Sequence, residues 1–103
     1  MLLFKKKFLD AIRSGEKTQT IRLWKHRMMR SGQRSYIPGI GPIHILTVDQ
    51  VKIDALTDDD AVPDGFPDAE SLRKELQTIY GEKLAAGHQT FRVTFKIGEP
   101  PLA

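Results

Sequence analysis

Between positions 17 and 22 the chain carries Lys17, Thr18, Thr20 and Arg22, an ammonium, two hydroxyls and a guanidinium within six residues. Such a donor cluster suits three tasks: holding a phosphate, reading a nucleobase edge, or steadying an oxyanion as it forms. It also offers covalent chemistry. A Thr hydroxyl is a weak nucleophile until a base takes its proton, and a Lys becomes that base when desolvation or a neighbouring cation such as Arg22 lowers its pKa. Local structure must aim these groups. Gly15 stands where a short helix should stop in the left-handed conformation that costs glycine little. From Thr18 to Trp24 the pattern alternates as in a strand, so Thr18, Thr20, Arg22 and Trp24 share one face and Gln19, Ile21 and Leu23 the other. Ile21 and Leu23 suit a core, which turns the hydroxyls and the guanidinium outward or into a cleft.

The remaining elements follow from periodicity and turn chemistry. Leu2 to Phe4 reads as a short strand or lead-in, and Phe8, Leu9 and Ile12 predict a two-turn helix over 6–14. Residues 33–37 predict a strand stopped by Pro38-Gly39 and Gly41-Pro42. Residues 43–53 are strand-like, but the apolar phase changes after Ile45 and again after Val48. That implies a bulged or bent strand, or two strands meeting at Asp49-Gln50. Thr57 or Asp58 caps a helical turn ending near Ala61. Residues 63–67 are a turn, and a helix from Pro67 or Asp68 to Tyr80 places Leu72, Leu76, Ile79 and Tyr80 on one face. Residues 81–87 read as a linker, 89–97 as a strand with Phe91, Val93, Phe95 and Ile97 inward, and 99–103 as a frayed tail. The expectation is one α+β domain over 1–98 with five to six strands and two to three short helices.

The 103 residues carry 16 Lys and Arg against 13 Asp and Glu, a net charge of +3. The excess is uneven. Residues 1–34 hold ten basic residues and only Asp10 and Glu16, whereas the rest of the chain is net acidic. A basic surface of that kind attracts polyanions in a salt-dependent way, although a solvated face with no partner has the same composition. Residues 25–34 read as a mobile basic loop, with Trp24 and Tyr36 at its edges as flat surfaces for base stacking. There is no Cys, and His26, His44 and His88 lack metal-ligand spacing, so neither a metal nor a disulfide is expected. No apolar run approaches the roughly 20 residues of a spanning helix. Residues 1–4 are too short for a signal peptide. A cytoplasmic protein without cofactor or membrane, monomeric or weakly dimeric, is the resulting expectation.

Taken in order, Gly15-x-Lys17-x-x-Thr20-x-Arg22, then Asp64-Gly65-Phe66, a helix ending at Tyr80-Gly81, and a final strand over 91–95 resemble the ASCH domains, small stand-alone members of the PUA-like superfamily. The resemblance implies a small mixed PUA-like β-barrel, nucleic-acid binding, and a polar motif facing a cleft. Some members similar in size are amidohydrolases that deacylate acetylated cytidine through a Lys, a Thr and a Glu, and ribonuclease activity is attributed to others. Carried over, the Lys falls on Lys17, the Thr on Thr20 and the Glu on Asp64, which is shorter than Glu by one bond, about 1.5 Å. The same residues also read structurally, as an ion pair holding a loop to the barrel and an ordinary strand Thr. The reading is therefore RNA or modified-nucleoside binding in a cleft of Lys17, Thr20, Arg22 and Asp64, with Lys7, Arg22, Trp24, Lys25, Arg27, Arg30 and Tyr36 as nucleic-acid contacts. The alternative is an amidohydrolase or ribonuclease using Lys17, Thr20 and Asp64. A scaffold whose basic face docks an acidic protein is a third class.

Overall fold

Hydrogen bonding along the chain produces four strands and three α-helices in a computed structural model that describes residues 1–98. The expected tail, 99–103, lies outside the described residues. A 3-10 turn at Lys6–Phe8 runs into α1 (Leu9–Ser14), followed by β1 (Gln19–Trp24), β2 (Arg34–Ile37) and β3 (Gly41–Gln50). Then come α2 (Asp58–Ala61), a 3-10 turn at Val62–Asp64, α3 (Ala69–Ala85) and β4 (Gln89–Ile97). The strands form one antiparallel sheet in the order β1-β4-β3-β2.

The sheet is open, so the expected barrel of five to six strands is corrected to four. Two stretches read as strands do not join it. After Gln50 the chain keeps one further bond, from the Val51 N–H to the Thr90 carbonyl at 2.9 Å, and then enters a 3-10 turn at Ile53–Ala55. At the other end the Leu2 N–H donates to the Tyr36 carbonyl at 2.9 Å, without making a ladder along β2. The Leu3 carbonyl instead accepts from the Arg22 guanidinium at 2.5 Å. The N-terminal segment thus touches both edge strands, β2 by backbone and β1 through a side chain.

Alternation along the strands assigns two apolar faces. Ile43, Ile45, Val48, Phe91, Val93 and Phe95 form one, closed by Ile12 and by Trp24. The register shifts between Ile45 and Thr47 and exposes Leu46, which is the bulge that the phase change in the sequence predicts. Ile21 and Leu23 form the other face with Leu56, Ala61, Leu72 and Leu76. Each such buried side chain contributes about 1.5–3 kcal/mol, enough to dock α3 on the sheet.

Capping fixes where the helices begin. The Thr57 N–H and hydroxyl donate to the Asp60 carboxylate at 2.9 and 3.1 Å. For α3, Asp68 accepts from the Ser71 N–H and Asp58 from the Ala69 N–H, both at 2.8 Å. The end of α3 departs from expectation, because the helix continues through Gly81 to Ala85. Gly inside a helix costs about 1 kcal/mol. Glu82, Lys83, Leu84 and Ala85 are strong helix formers, and Leu84 packs on the second apolar cluster, so the helix survives its glycine.

Candidate functional site

The strand β1 is an edge of the sheet, and the N-terminal segment and α3 rise beside it. Between them lies a cavity of about 100 Å³ lined by Lys17, Thr20, Arg22 and Asp64 together with aromatic and aliphatic side chains. Backbone bonds aim the polar groups into it. Gly15 leaves α1 at φ 85°, and the Lys17 N–H then donates to the Ala11 carbonyl at 3.0 Å. The Thr18 N–H donates to the Pro63 carbonyl at 2.7 Å. That bond ties the start of β1 to the turn that carries Asp64. Gly65, at φ 93°, ends this turn, and the Lys17 stem passes over it.

Lys17 and Asp64 are buried, with side chains 3% and 4% exposed, and the ammonium donates to Asp64 Oδ1 at 2.6 Å and to the Asp64 carbonyl. The faces of Phe4, Phe8 and Phe66 surround the same ammonium at 5.8, 5.1 and 5.9 Å, where ring quadrupoles attract a cation. Burial pushes the Lys17 pKa down, against the pull of Asp64, and pushes the Asp64 pKa up, against Lys17 and Gln19. Both shifts have the same cause: a low-dielectric site disfavours either charged form. Burial lowers Arg22 too, yet a guanidinium remains cationic in proteins.

Thr20 is 5% exposed, so of the two placements the alternation allowed, outward or into a cleft, it takes the cleft. Its Oγ1 accepts from Arg22 Nε at 3.1 Å, which leaves its own proton available to a base. The Arg22 guanidinium lies 4.7 Å from the Phe4 ring centre. Lys17, Thr20, Arg22 and Asp64 thus meet on one cavity. The ion pair of the structural reading is formed, and it forms inside the cleft.

Gln19 is the residue that sequence reasoning missed. Its Nε2 donates to Asp64 Oδ2 at 3.1 Å and to the Asp60 carbonyl at 2.9 Å. The signal was present: a Gln in phase with Ile21 and Leu23 on a core-facing strand must find partners. Phe4, Phe8, Phe66 and Tyr80 were also missed as walls of the cleft.

The other candidates disperse. Lys7 pairs with Glu75 at 2.7 Å at the rim of the cleft. Trp24 packs its ring 5.2 Å from Phe91 and, with Lys25, lines a separate groove. Arg27 is exposed, yet its guanidinium bends back onto the sheet, donating to the Val48 carbonyl at 2.5 Å and lying 5.5 Å from the Phe91 ring. With Met29 buried, the loop over 25–34 is pinned to the sheet. Arg30 is exposed. Tyr36 is exposed on β2, the opposite edge strand, on the face away from Trp24.

No family model matches the chain, and no curated protein matches its sequence. Solved structures do match its shape. An ASCH domain from Lactobacillus crispatus superposes with a TM-score of 0.70 at 17% identity, over 84% of this chain and 67% of that one. A hypothetical protein, PH0355, gives 0.75 at 14% identity over 91% and 94%. The EF3133 protein of Enterococcus faecalis gives 0.68 at 15% identity over 87% and 69%. At such identities the likeness establishes architecture: this is a small α+β domain with the ASCH-like fold.

Proposed function

We propose that the cleft beside β1 binds one base of an RNA or of a modified nucleoside. The observation that carries this reading is the convergence of Lys17, Thr20, Arg22 and Asp64 on a cavity of about 100 Å³ whose other walls are aliphatic and aromatic side chains, with Lys5 and Glu75 among them. A space well below the several hundred Å³ of most ligand pockets takes a flat ring and excludes a folded polymer. Aromatic faces stack on any base, and the polar groups select its edge. Asp64 accepts two bonds here, and a carboxylate has about four lone-pair sites, so it retains capacity for an exocyclic amine such as cytosine N4. Calorimetric titration with cytidine, N4-acetylcytidine and uridine tests this. Cytidine or its acetyl form should bind about tenfold or more tighter than uridine, whose O4 acceptor would face the carboxylate. Absence of binding by all three would sink the reading.

One observation favours a second reading, amidohydrolysis. The Thr20 hydroxyl accepts from Arg22, which leaves its proton free, and burial lowers the pKa of Lys17 on the same cavity, two of the conditions under which a Lys takes a proton from a Thr. In that reading Thr20 Oγ attacks the acetyl carbonyl and its proton passes to Lys17 Nζ, while the oxyanion forms beside Arg22. The C–N bond then breaks, the cytosine amine leaves with the proton from Lys17, and water hydrolyses the acetyl ester to acetate and Thr20. Release of cytidine from N4-acetylcytidine, retained in Thr20→Ser and lost in Thr20→Val, would support it. Binding without turnover leaves the base site alone.

A further inference from the structure

A groove of about 560 Å³ adjoins the cleft, and Leu3 and Arg22 line both. Its basic groups arrive from separate parts of the chain: Arg22 on β1, Lys25 and His26 just after it, Lys83 near the end of α3, and His88 just before β4. The turn after α3 joins the last two, since the His88 N–H donates to the Lys83 carbonyl at 3.1 Å. Among the described residues no carboxylate lines this groove, and none of the ion pairs uses Lys25, His26, Lys83 or His88. The buried Nδ1 of His88 has no hydrogen-bond partner in the protein. Lys25 and Lys83, with no carboxylate in the lining, attract anions, and this collection begins at the wall of a base-sized cleft. Arg22 stands at the boundary, donating to Thr20 in the cleft and to Leu3, which borders both spaces. Lys83 also lies 5.6 Å from the ring of Tyr80, which lines the cleft.

We propose that this groove is a phosphate subsite, so that the natural ligand of the cleft is a nucleotide, free or within an RNA strand, and not a bare nucleoside. The proposal rests on the reading of the cleft as a base site. The groove has room for what a nucleoside lacks: a phosphate against Lys25, Lys83 and the two imidazoles, with the Trp24 edge available to a neighbouring base.

Titrations of cytidine, cytidine 5′-monophosphate, a short oligocytidylate and inorganic phosphate into the intact chain at low salt would test it. The monophosphate should bind about tenfold or more tighter than cytidine, and the gain should shrink with added salt. Lys25→Ala/Lys83→Ala should abolish that gain, bringing the ratio of monophosphate to cytidine affinity to about one. A further gain for the oligomer, with a steeper salt dependence, assigns the phosphate to an RNA strand. Equal affinity of monophosphate and oligomer assigns it to a free nucleotide. Equal affinity of cytidine and its monophosphate overturns the proposal and leaves the base site standing. If no nucleoside binds but inorganic phosphate shifts the His26 and His88 NMR signals, the base site fails and the anion subsite holds. If phosphate and every nucleotide leave those signals unmoved, the subsite is overturned outright.

Discussion

Two lysine–carboxylate pairs border the same cleft, one inside it and one at its rim, and their lengths nearly agree: 2.6 Å for Lys17–Asp64 and 2.7 Å for Lys7–Glu75. Their surroundings do not. The inner side chains are 3% and 4% exposed, the outer ones 58% and 21%. In water two charges at such a distance gain little beyond what solvation already gives each of them. In the interior both have lost that solvation, so neither can be removed alone without stranding the other. Identical chemistry is thus a fixed constellation inside the cleft and an adjustable surface contact at its rim.

The largest expected effect comes from breaking the inner pair. Asp64→Ala leaves Lys17 buried and uncompensated, and should cost about 3–5 kcal/mol in urea unfolding. Replacing both charges, as in Lys17→Met/Asp64→Leu, should cost nothing or stabilise by about 1–4 kcal/mol while abolishing nucleoside binding. Such a result would identify the pair as kept for its chemistry. The pH dependence sharpens this. Asp64 holds its proton more tightly when folded, so stability falls as pH rises from about 3.9 through its raised value. Lys17 holds its proton less tightly, so stability rises with pH from its lowered value toward about 10.4. Relative to the double variant, the native chain should therefore be weakest between those two windows. A pH-independent difference in unfolding midpoints would contradict that.

Gln19→Leu should come next, at about 1–3 kcal/mol, because it leaves buried acceptors on Asp64 and Asp60 without a donor. Loss of its hydrogen bond should also raise the Asp64 pKa further, readable from its carboxyl carbon signal. Gly65→Ala should follow at about 1–2 kcal/mol. Its new Cβ would meet Lys17 carbons at 3.7 Å, an ordinary contact, so the cost is that of a positive φ alone.

Much of this architecture was legible because its causes are local. Gly15 closes α1, Thr57 caps α2, alternation marks β1 and β4, and the broken phase after Ile45 marks the bulge. The four cleft residues were legible as a set, through spacing and family resemblance. What escaped depends on distant partners. Whether residues 2–4 form a strand is decided by how much of β2 they reach, and whether Gly81 ends a helix is decided by Leu84 finding a core. The return of the Arg27 guanidinium to the sheet likewise depends on the Val48 carbonyl and the Phe91 ring. No window around residue 27 contains either.

The smallest expected effect falls on the rim pair. Lys7→Ala should change stability by less than about 1 kcal/mol, because its side chain is largely exposed and water replaces Glu75 as its partner. Part of even that change would be packing, since the ammonium lies 5.0 Å from the Phe8 ring and the stem covers apolar surface. A double-mutant cycle over Lys7→Ala and Glu75→Ala removes that part and should leave a coupling of about 0.2–1 kcal/mol. In about 1 M salt, where the screening length is about 3 Å, this coupling should fall toward zero. The corresponding cycle over Lys17 and Asp64 should barely change, because buried pairs are screened by salt far less than exposed ones. Should both couplings respond to salt alike, the cleft interior would be as wet as its rim. The desolvation that lowers the Lys17 pKa would then be absent, and the amidohydrolase reading would lose its base while the base-binding reading kept its aromatic walls.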